Sequence, residues 1–329
     1  MGAARRDPRA AALGPAAGVR IRTLHRPGPR ELLGLAELID RTARHDGHRP
    51  IGDHALIELK QGPRVFPHAA FAATAAEQLV GYAHLSRRET RHGWRLEAFV
   101  APSWRGRGIG TALVGAVLDH VAAHGGGRLH AWAYLPGPAH ERIAARFGMR
   151  VVRRLLRMSR PLPAPSVAVP PGYRIRAFRP SDAPAWLELH NRAFADHPDA
   201  GGWRPEDLAW HLEEPWFEPE GFLLAERADG LAGYCWMKLE DRLGWVYFLG
   251  VAPEDRGTGL APALCAAGLA WAHERGAGRG VLYVDEGNAP ALRLYRKLGF
   301  EVEHVDLCYE AEVPPRAAVD AARPAGRPG

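Results

Sequence analysis

The 329 residues of this chain are enough for two domains of roughly 150 residues each. Hydrophobic residues make up 47% and charged residues 24%, which excludes a disulfide scaffold, a peptide-sized module and a wholly disordered chain. The formal net charge of +6 favours anionic partners such as phosphates, but arginines lie along the whole chain, so nucleic acid is the less favoured partner.

The composition of the chain ends and the spacing of the cysteines predict a cytoplasmic protein. Residues 1–18 and 314–329 are rich in Ala, Arg, Pro and Gly, which predicts disordered tails and no signal peptide. No apolar run approaches the roughly 20 residues of a membrane-spanning helix. Cys235, Cys265 and Cys308 are too few and too widely spaced for a disulfide framework or a CxxC metal site. We therefore expect buried thiols, no metal, no membrane partner and a monomer.

The predicted elements, taken in chain order, occur twice. Each copy begins with a short strand, continues with amphipathic helical sequence and then has two β-rich runs. An apolar strand, a glycine-rich loop, a helix, another strand, a final helix and a hairpin-like pair follow. The opening strands are Arg20–Thr23 and Tyr173–Ala177, and the β-rich runs are Val65–Leu85 and Phe222–Met237. This order predicts an α/β fold in which each half is a mixed twisted sheet flanked by helices.

The two copies are also related by sequence. Val100–Gly108 and Val251–Gly259 share the pattern V-A-P-x-x-R-G-x-G at an offset of 151 residues. The turns Phe147–Met149 and Leu298–Phe300 repeat at the same offset. Several landmarks in one order indicate a duplicated domain. We predict domains at 19–160 and 173–313, joined by a proline-rich linker at 161–172 where five prolines prevent a continuous helix or strand.

The glycine-rich loop predicts a phosphate site. In the second copy Trp245–Val251 is an apolar and aromatic run typical of a buried strand, and Arg256–Ala261 opens a helix that runs to about Arg275. Glycines let successive backbone N–H groups converge, and the helix N-terminus adds partial positive charge, so a diphosphate fits there. A tight strand-to-helix turn would explain one such loop. Its recurrence at Arg105–Gly110 favours the functional interpretation.

Two further residues of the second copy suggest chemistry. Asn288 follows a strand and is placed to cap the next helix. Tyr295, seven residues on, lies two turns along nearly the same helix face, where its hydroxyl could protonate a leaving thiolate. Packing of this tyrosine on the sheet is the alternative interpretation.

These motifs carry a family resemblance. V-x-P-x-x-R-G-x-G followed by N-x-x-A-x-x-x-Y-x-x-L-G-F resembles the GCN5-related N-acetyltransferases (GNAT), whose loop holds the acetyl-CoA pyrophosphate. Two copies together with His197–Trp203 and Glu214–Gly221 are similar to tandem members of the family. Those members acetylate the cysteinyl amine of a cysteine–glucosamine–inositol conjugate, desacetylmycothiol. The resemblance extends from about Val19 to Val313 and is stronger in the second half.

The resemblance implies acetyl-CoA as co-substrate, a small thiol-sugar amine as acceptor, and specific site residues. Tyr295 is the implied catalytic acid, and a backbone N–H near Gly250 the implied oxyanion donor. The implied substrate-binding residues are Asp53, Asp199, Lys238 and Tyr283. The implied acetyl-CoA-binding residues of the second copy are Leu249, Gly250, Val251, Arg256, Gly257, Thr258, Gly259, Leu260, Ala261, Pro262, Asn288, Ala289, Pro290, Ala291, Leu292 and Arg293.

The first copy keeps the loop and lacks the acid. At the offset of 151, Asn288 and Tyr295 correspond to Gly137 and Ala144. We therefore predict catalysis in the second copy alone. The first copy keeps a set of implied acetyl-CoA-binding residues, namely Ala98, Phe99, Val100, Gly106, Arg107, Gly108, Ile109, Gly110 and Thr111.

One departure bears on the substrate. The family has a glutamate base immediately before the V-Y of the central strand, and Trp245 stands there. An indole cannot accept a proton from an amine. Glu240, Asp241 and Asp285 are the replacement candidates. We expect direct acyl transfer in a ternary complex, because no cysteine lies on the motif strand as a nucleophile. The alternatives are acetylation of another small amine, such as an aminoglycoside or polyamine, and a non-catalytic acetyl-CoA-binding or nucleic-acid adaptor protein.

Overall fold

A computed structural model of the chain describes residues 18–24, 27–61, 68–88, 93–197 and 201–316. The chain forms two compact units. Of the described residues, the first unit comprises those up to Arg153 together with those from Asp306 onward, and the second comprises those from Arg154 to Val305. Asp199 lies outside the described residues.

The first unit is a mixed sheet with helices, as predicted. Its strands pair in the order β1-β2-β3-β4-β5, followed by the part of β12 that begins at Asp306. The β4–β5 pair is parallel and the others are antiparallel. The elements are β1 (Val19–Leu24), α1 (Pro29–Asp46), α2 (Asp53–Gln61), β2 (His68–Ala75), β3 (Gln78–Arg88), β4 (Gly93–Val100), α3 (Ile109–Ala123), β5 (Gly127–Ala133) and α4 (Pro138–Arg146).

The second unit repeats this arrangement. Its strands pair in the order β6-β11-β10-β9-β8-β7, and the β10–β11 pair is parallel. The remaining elements, of which β6 and β12 cross between the two units, are β6 (Arg150–Pro161), β7 (Arg174–Ala177), α5 (Ala183–Ala193), α6 (Pro205–Leu212), β8 (Phe222–Arg227), β9 (Gly230–Glu240), β10 (Leu243–Val251), α7 (Leu260–Glu274), β11 (Arg279–Asp285), α8 (Ala289–Lys297) and β12 (Glu301–Val313).

The two copies exchange their last strands. β6 ends the first copy in sequence, yet its residues from Leu155 to Pro161 pair with β11 of the second unit. β12 ends the second copy, yet its residues from Leu307 to Val313 pair with β5 of the first unit. The units therefore differ from the predicted boundaries at 160 and 313, because similar strands at equivalent places can pair with either sheet. The predicted terminal hairpin is wrong, since one long strand follows each final helix. Residues 162–172, within the predicted linker, contain no helix or strand.

Each unit has its own core between the sheet and the helix after the glycine-rich loop. In the first unit Leu113 and Val117 of α3 are fully buried against the sheet. In the second unit Leu264 and Leu269 of α7 are fully buried in the equivalent core. The three cysteines are buried, as expected from the sequence. Among the described residues no helix is long and apolar enough to cross a membrane.

Candidate active site

The central strands of the second unit separate into a fork. The parallel pairing of β10 with β11 ends at Val246 and Leu282, whereas the antiparallel pairing of β10 with β9 continues to Val251. A register shift between Val246 and Phe248 leaves Tyr247 as an extra residue, and such a bulge bends a strand. The β11-facing edge of Leu249–Val251 therefore presents backbone N–H and C=O groups beyond the end of the ladder, where an extended ligand can pair with them.

Gly250 lies in this fork for a steric reason. A Cβ at this position would lie 2.6 Å from Cε1 of Tyr234 and 3.1 Å from Cε2 of Phe194. Tyr234 is fully buried and pairs with Gly250 across β9 and β10. The aromatic ring therefore packs directly on the backbone and fixes the position of the N–H groups at the fork.

The glycine-rich loop of the second unit has the geometry that the sequence predicts. Gly257 has φ +81° and Gly259 has φ +90°, a region where other residues are strained. Gly259 is the N-cap of α7, so the loop runs directly into a helix N-terminus. The hydroxyl of Thr258 donates to the carbonyl of Asp255 at 2.8 Å. This is an exposed turn with free backbone donors at a helix start, which suits a diphosphate.

Buried contacts hold the loop in place. The Asp255 carboxylate, 2% exposed, accepts a hydrogen bond from the hydroxyl of Tyr173 at 2.7 Å and one from Arg227 at 2.6 Å. The guanidinium of Arg256 donates to the carbonyl of Ala193 at the end of α5, at 3.0 Å. Arg256 therefore has a structural contact in addition to its predicted role in binding acetyl-CoA.

Asn288 and Tyr295 occupy one helix, α8. Oδ1 of Asn288 accepts a hydrogen bond from the Ala291 N–H at 3.1 Å, so the predicted cap is confirmed. Tyr295 is 8% exposed and its ring meets Phe300 edge-on at 5.7 Å. Burial raises the pKa of the Tyr295 hydroxyl well above its ordinary value, so the phenol keeps its proton at neutral pH. Leu292 is buried in the same core.

Lys238 and Tyr283, the predicted substrate residues that the structure describes in the second unit, share the opposite face of the sheet. Lys238 lies directly across from Trp245 on the antiparallel pair β9–β10, so both side chains are on one face. Lys238 is 4% exposed and its ammonium lies 5.2 Å from the ring centroid of Trp216. Tyr283, 39% exposed, stacks on Trp245 with ring centroids 5.8 Å apart. Tyr295 belongs to the core cluster of the other face, together with Val246 and Leu282.

Trp245 itself is held between two groups. The Tyr283 ring lies on it, and Cζ of Arg157 is 5.1 Å from its centroid. Of the three replacement carboxylates, Oε2 of Glu240 lies 3.4 Å from Nζ of Lys238. Asp241 is exposed in the turn between β9 and β10, and Oδ1 of Asp285 accepts the Gly287 N–H at 3.0 Å. Glu240 thus contacts a predicted substrate residue.

The first unit has its own fork and a large cavity. The parallel pairing of β4 with β5 ends at Glu97 and Trp132, while β4 continues to Val100 beside β3 without a register shift. A cavity of about 770 Å³ lies in this unit. Its lining includes eight predicted residues, namely Ala98, Phe99, Val100, Gly106, Gly108, Ile109, Gly110 and Thr111. The predicted Arg107 is outside that lining, and its guanidinium lies 4.6 Å from the centroid of Trp104.

Two features of the cavity in the first unit were not predicted. Nη1 of Arg105 donates to Oδ1 of Asp46, at the end of α1, at 2.8 Å, and both residues line the cavity. This hydrogen bond lowers the pKa of Asp46 to about 2. Tyr309 of β12 also lines the cavity. The predicted substrate residue Asp53 begins α2, with Oδ1 3.6 Å from Nη1 of Arg49. Neither Asp46 nor Tyr309 belongs to a repeated motif, so no sequence pattern pointed to them.

No group of three or more His, Cys, Asp or Glu side chains within the described ranges has an arrangement that could hold a metal ion.

Comparison with known proteins gives consistent matches. A sequence profile of the acetyltransferase (GNAT) family matches residues 35–149 and 183–300. The chain is 44% identical to the mycothiol acetyltransferase of Thermobispora bispora, over 88% of this chain and 99% of that protein. It is 39% identical to the mycothiol acetyltransferase of Acidothermus cellulolyticus, over 89% of this chain and 95% of that one.

Solved structures match in the same way. A GCN5-related N-acetyltransferase from Sphaerobacter thermophilus is 25% identical with a TM-score of 0.68, over 92% of this chain and 98% of that chain. A tandem GNAT protein from the clavulanic acid biosynthesis pathway is 20% identical with a TM-score of 0.71, over 90% of this chain and 99% of that chain. The second likeness is one of fold alone.

Proposed function

This chain belongs to the GNAT acetyltransferase family, and from that membership we propose that it acetylates the cysteinyl amine of desacetylmycothiol with acetyl-CoA, forming mycothiol. The proposal rests on the name that its curated relatives carry and on one observation of the second unit. There an open strand edge is followed in the chain by a glycine-rich helix start, and Tyr295 is a buried neutral phenol.

The second unit has the elements that acetyl-CoA would require. The backbone of Leu249–Val251 would pair with the pantetheine arm, and the loop from Arg256 to Pro262 would hold the diphosphate. Residues 288–293 at the start of α8 would line the remaining wall. The co-substrate supplies an acetyl group on a thiolate leaving group.

The proposed roles follow from the two faces of the sheet. The acceptor amine approaches from the face of Lys238 and Tyr283, and its nitrogen forms a bond to the thioester carbonyl carbon. A backbone N–H near Gly250 stabilises the negative charge that develops on the carbonyl oxygen. As the carbon–sulfur bond breaks, the Tyr295 hydroxyl donates its proton to the sulfur, and the second proton that the nitrogen loses on becoming an amide restores the phenol through water. Acid and nucleophile therefore act from opposite sides of the fork.

We assign the base to Glu240. Trp245 cannot accept the proton of the substrate ammonium, and Glu240 is the carboxylate that lies beside Lys238. Glu240→Gln should lower kcat about 100-fold or more, the usual size of a general-base contribution. Asp285→Asn is the matched control and should keep activity. Equal activity of Glu240→Gln and wild type would remove Glu240 from the mechanism. Asp53 and Asp199 remain proposed substrate contacts.

For the first unit we propose acetyl-CoA binding without catalysis. Its loop glycines Gly106 and Gly108 have φ +75° and +76°, and the loop borders the cavity. Ala144 stands where the second unit has its tyrosine acid. Binding of two acetyl-CoA molecules per chain in a calorimetric titration would support this assignment. A stoichiometry of one would contradict it.

The substrate assignment is tested by measuring thiol release from acetyl-CoA with desacetylmycothiol and with a panel of aminoglycosides and polyamines. We expect the largest kcat/KM for desacetylmycothiol. A larger kcat/KM for another amine would establish the second candidate, which the Trp245–Tyr283 stack at the usual base position favours. Acetyl-CoA binding without turnover of any amine would indicate a non-catalytic protein.

The remaining proposals concern the setting of the reaction. We propose a cytoplasmic monomer whose partners are small molecules rather than nucleic acids or membranes. Light scattering after size-exclusion chromatography should give a mass near 36.0 kDa, the mass of one chain. A mass near twice that value would overturn the monomer.

A further inference from the structure

Tyr309 is a buried residue of the first unit with an unused hydroxyl. It lies opposite Ala131 on β5 and packs with Ala133 and Ala144. The residue is 6% exposed and lines the 770 Å³ cavity. Its hydroxyl oxygen is buried and has no hydrogen-bond partner among the residues that the structure describes.

The second unit shows what Tyr309 replaces. At the offset of 151, Tyr309 corresponds to Met158, which lies opposite Leu282 as Tyr309 lies opposite Ala131. Ala144 corresponds to Tyr295, and Met158 and Tyr295 belong to one core cluster. The second unit therefore has a tyrosine on the helix and a methionine on the exchanged strand. In the first unit the tyrosine is on the strand and the helix has an alanine.

Packing explains the ring but not the hydroxyl. Alanines at 131, 133 and 144 replace larger residues of the second unit, so a large side chain at 309 restores the lost volume. Phenylalanine would do this equally well. A buried hydroxyl without a partner destabilises the fold, which favours a function that needs the O–H group. The cavity beside it offers such a function.

We propose that the Tyr309 hydroxyl donates a hydrogen bond to the thioester end of a coenzyme A ligand bound in the cavity of the first unit. This inference rests on the proposed acetyl-CoA binding by that unit. Tyr309 is then a ligand-binding residue supplied by the last strand of the chain. In the first copy it has the place beside the fork that Tyr295 is proposed to have in the second copy.

The strand register indicates which end of the ligand Tyr309 meets. Tyr309 lies opposite Ala131, and Ala131 lies opposite Leu96 on β4. The glycine-rich loop follows Val100, four residues further along β4, which is about 13 Å at the usual rise per residue. A ligand with its diphosphate at the loop and its arm along the open edge of Ala98–Val100 would bring its thioester end toward Tyr309.

The test isolates the first unit in the full-length chain. Gly257→Val combined with Gly259→Val places β-branched residues at positive φ and removes the diphosphate loop of the second unit. In this background calorimetry measures two probes, acetyl-CoA and adenosine 3′,5′-bisphosphate, which lacks the thioester end. Adding Tyr309→Phe should weaken acetyl-CoA binding about 3- to 10-fold, the range for one lost hydrogen bond, and leave the bisphosphate unchanged.

Tyr82→Phe is the matched control. It removes another buried hydroxyl of the same unit, which lies 3.3 Å from Nδ1 of His84, and Tyr82 is outside the cavity lining. Its acetyl-CoA affinity should equal that of the background. Tyr309→Met, which introduces the residue of the second unit, should show the same selective loss as Tyr309→Phe. Both changes should leave the melting temperature of the ligand-free protein within a few degrees.

The outcomes distinguish failure of the Tyr309 inference from failure of the proposed acetyl-CoA binding by the first unit. Equal acetyl-CoA affinity with and without the Tyr309 hydroxyl overturns this inference and leaves acetyl-CoA binding by the first unit intact. Equal losses for both probes also overturn it, because they indicate general distortion of the cavity. Absence of acetyl-CoA binding in the loop-variant background overturns both the inference and the proposed binding on which it rests.

Discussion

Replacing Tyr295 by phenylalanine tests the proposed chemistry most directly, because it removes one hydroxyl from a packed site. The ring is 8% exposed and its edge contact with Phe300 at 5.7 Å does not require the hydroxyl. The fold should therefore change in stability by about 1 kcal/mol or less, the value of one neutral hydrogen bond. The leaving thiolate loses its proton donor, and we expect kcat to fall about 100- to 10,000-fold.

The assay is continuous detection of free coenzyme A thiol with desacetylmycothiol as acceptor. Tyr295 is proposed to act on the sulfur during bond breaking, so KM for acetyl-CoA should stay within about threefold of wild type. Tyr82→Phe, which removes a buried phenol of the first unit, is the control and should keep full activity. A Tyr295→Phe enzyme with wild-type kcat, or one whose loss lies entirely in KM, would refute the assignment of Tyr295 as the acid.

Three other changes follow from the structure. Gly250→Ala places a Cβ 2.6 Å from the Tyr234 ring, so it should lower the free energy of unfolding by about 1–3 kcal/mol in urea titrations and reduce kcat. Ala144→Tyr should be similarly destabilising because Tyr309 fills that space. The double variant Ala144→Tyr with Tyr309→Met should recover stability in a double-mutant cycle without creating activity in the first unit. Additive losses of stability would contradict the idea that the two tyrosines occupy the same space. The arginine bound to Asp46 lowers the pKa of that carboxyl to about 2 from its ordinary 3.8, so the pair stabilises above about pH 4 and loses its effect as the pH falls toward 2. Wild type should exceed Asp46→Asn by about 1 kcal/mol or less at pH 7 and match it near pH 2, and a constant difference would contradict this account.

The features that sequence predicted correctly have local causes. Gly257 and Gly259 adopt positive φ, which glycine tolerates best, so the loop can be located from its composition. Asn288 caps α8 through a hydrogen bond to a residue three positions away. The spacing from Asn288 to Tyr295 then follows from helix geometry. The duplication is visible for the same reason, because each copy repeats these local signals.

The bulge at Tyr247 and the aromatic stack on Trp245 illustrate what sequence did not indicate. The bulge depends on the register between β9 and β10, and no residue type in the strand predicts it. The sequence showed that Trp245 replaces an expected glutamate. The neighbours Tyr283 and Arg157 come from other strands, and their contacts with the indole became visible only in the folded second unit.

The sequence by itself determined that this chain is a duplicated α/β acetyltransferase, and it predicted two phosphate loops and one tyrosine acid, because turns, caps and helical spacing act over a few residues. Only the tertiary structure decided with which sheet each final strand pairs. Strand pairing joins residues far apart in the chain, as Ala131 and Tyr309 show, and two similar strands carry the same local pattern. That pairing places a tyrosine in the cavity of the copy whose own helix lacks one.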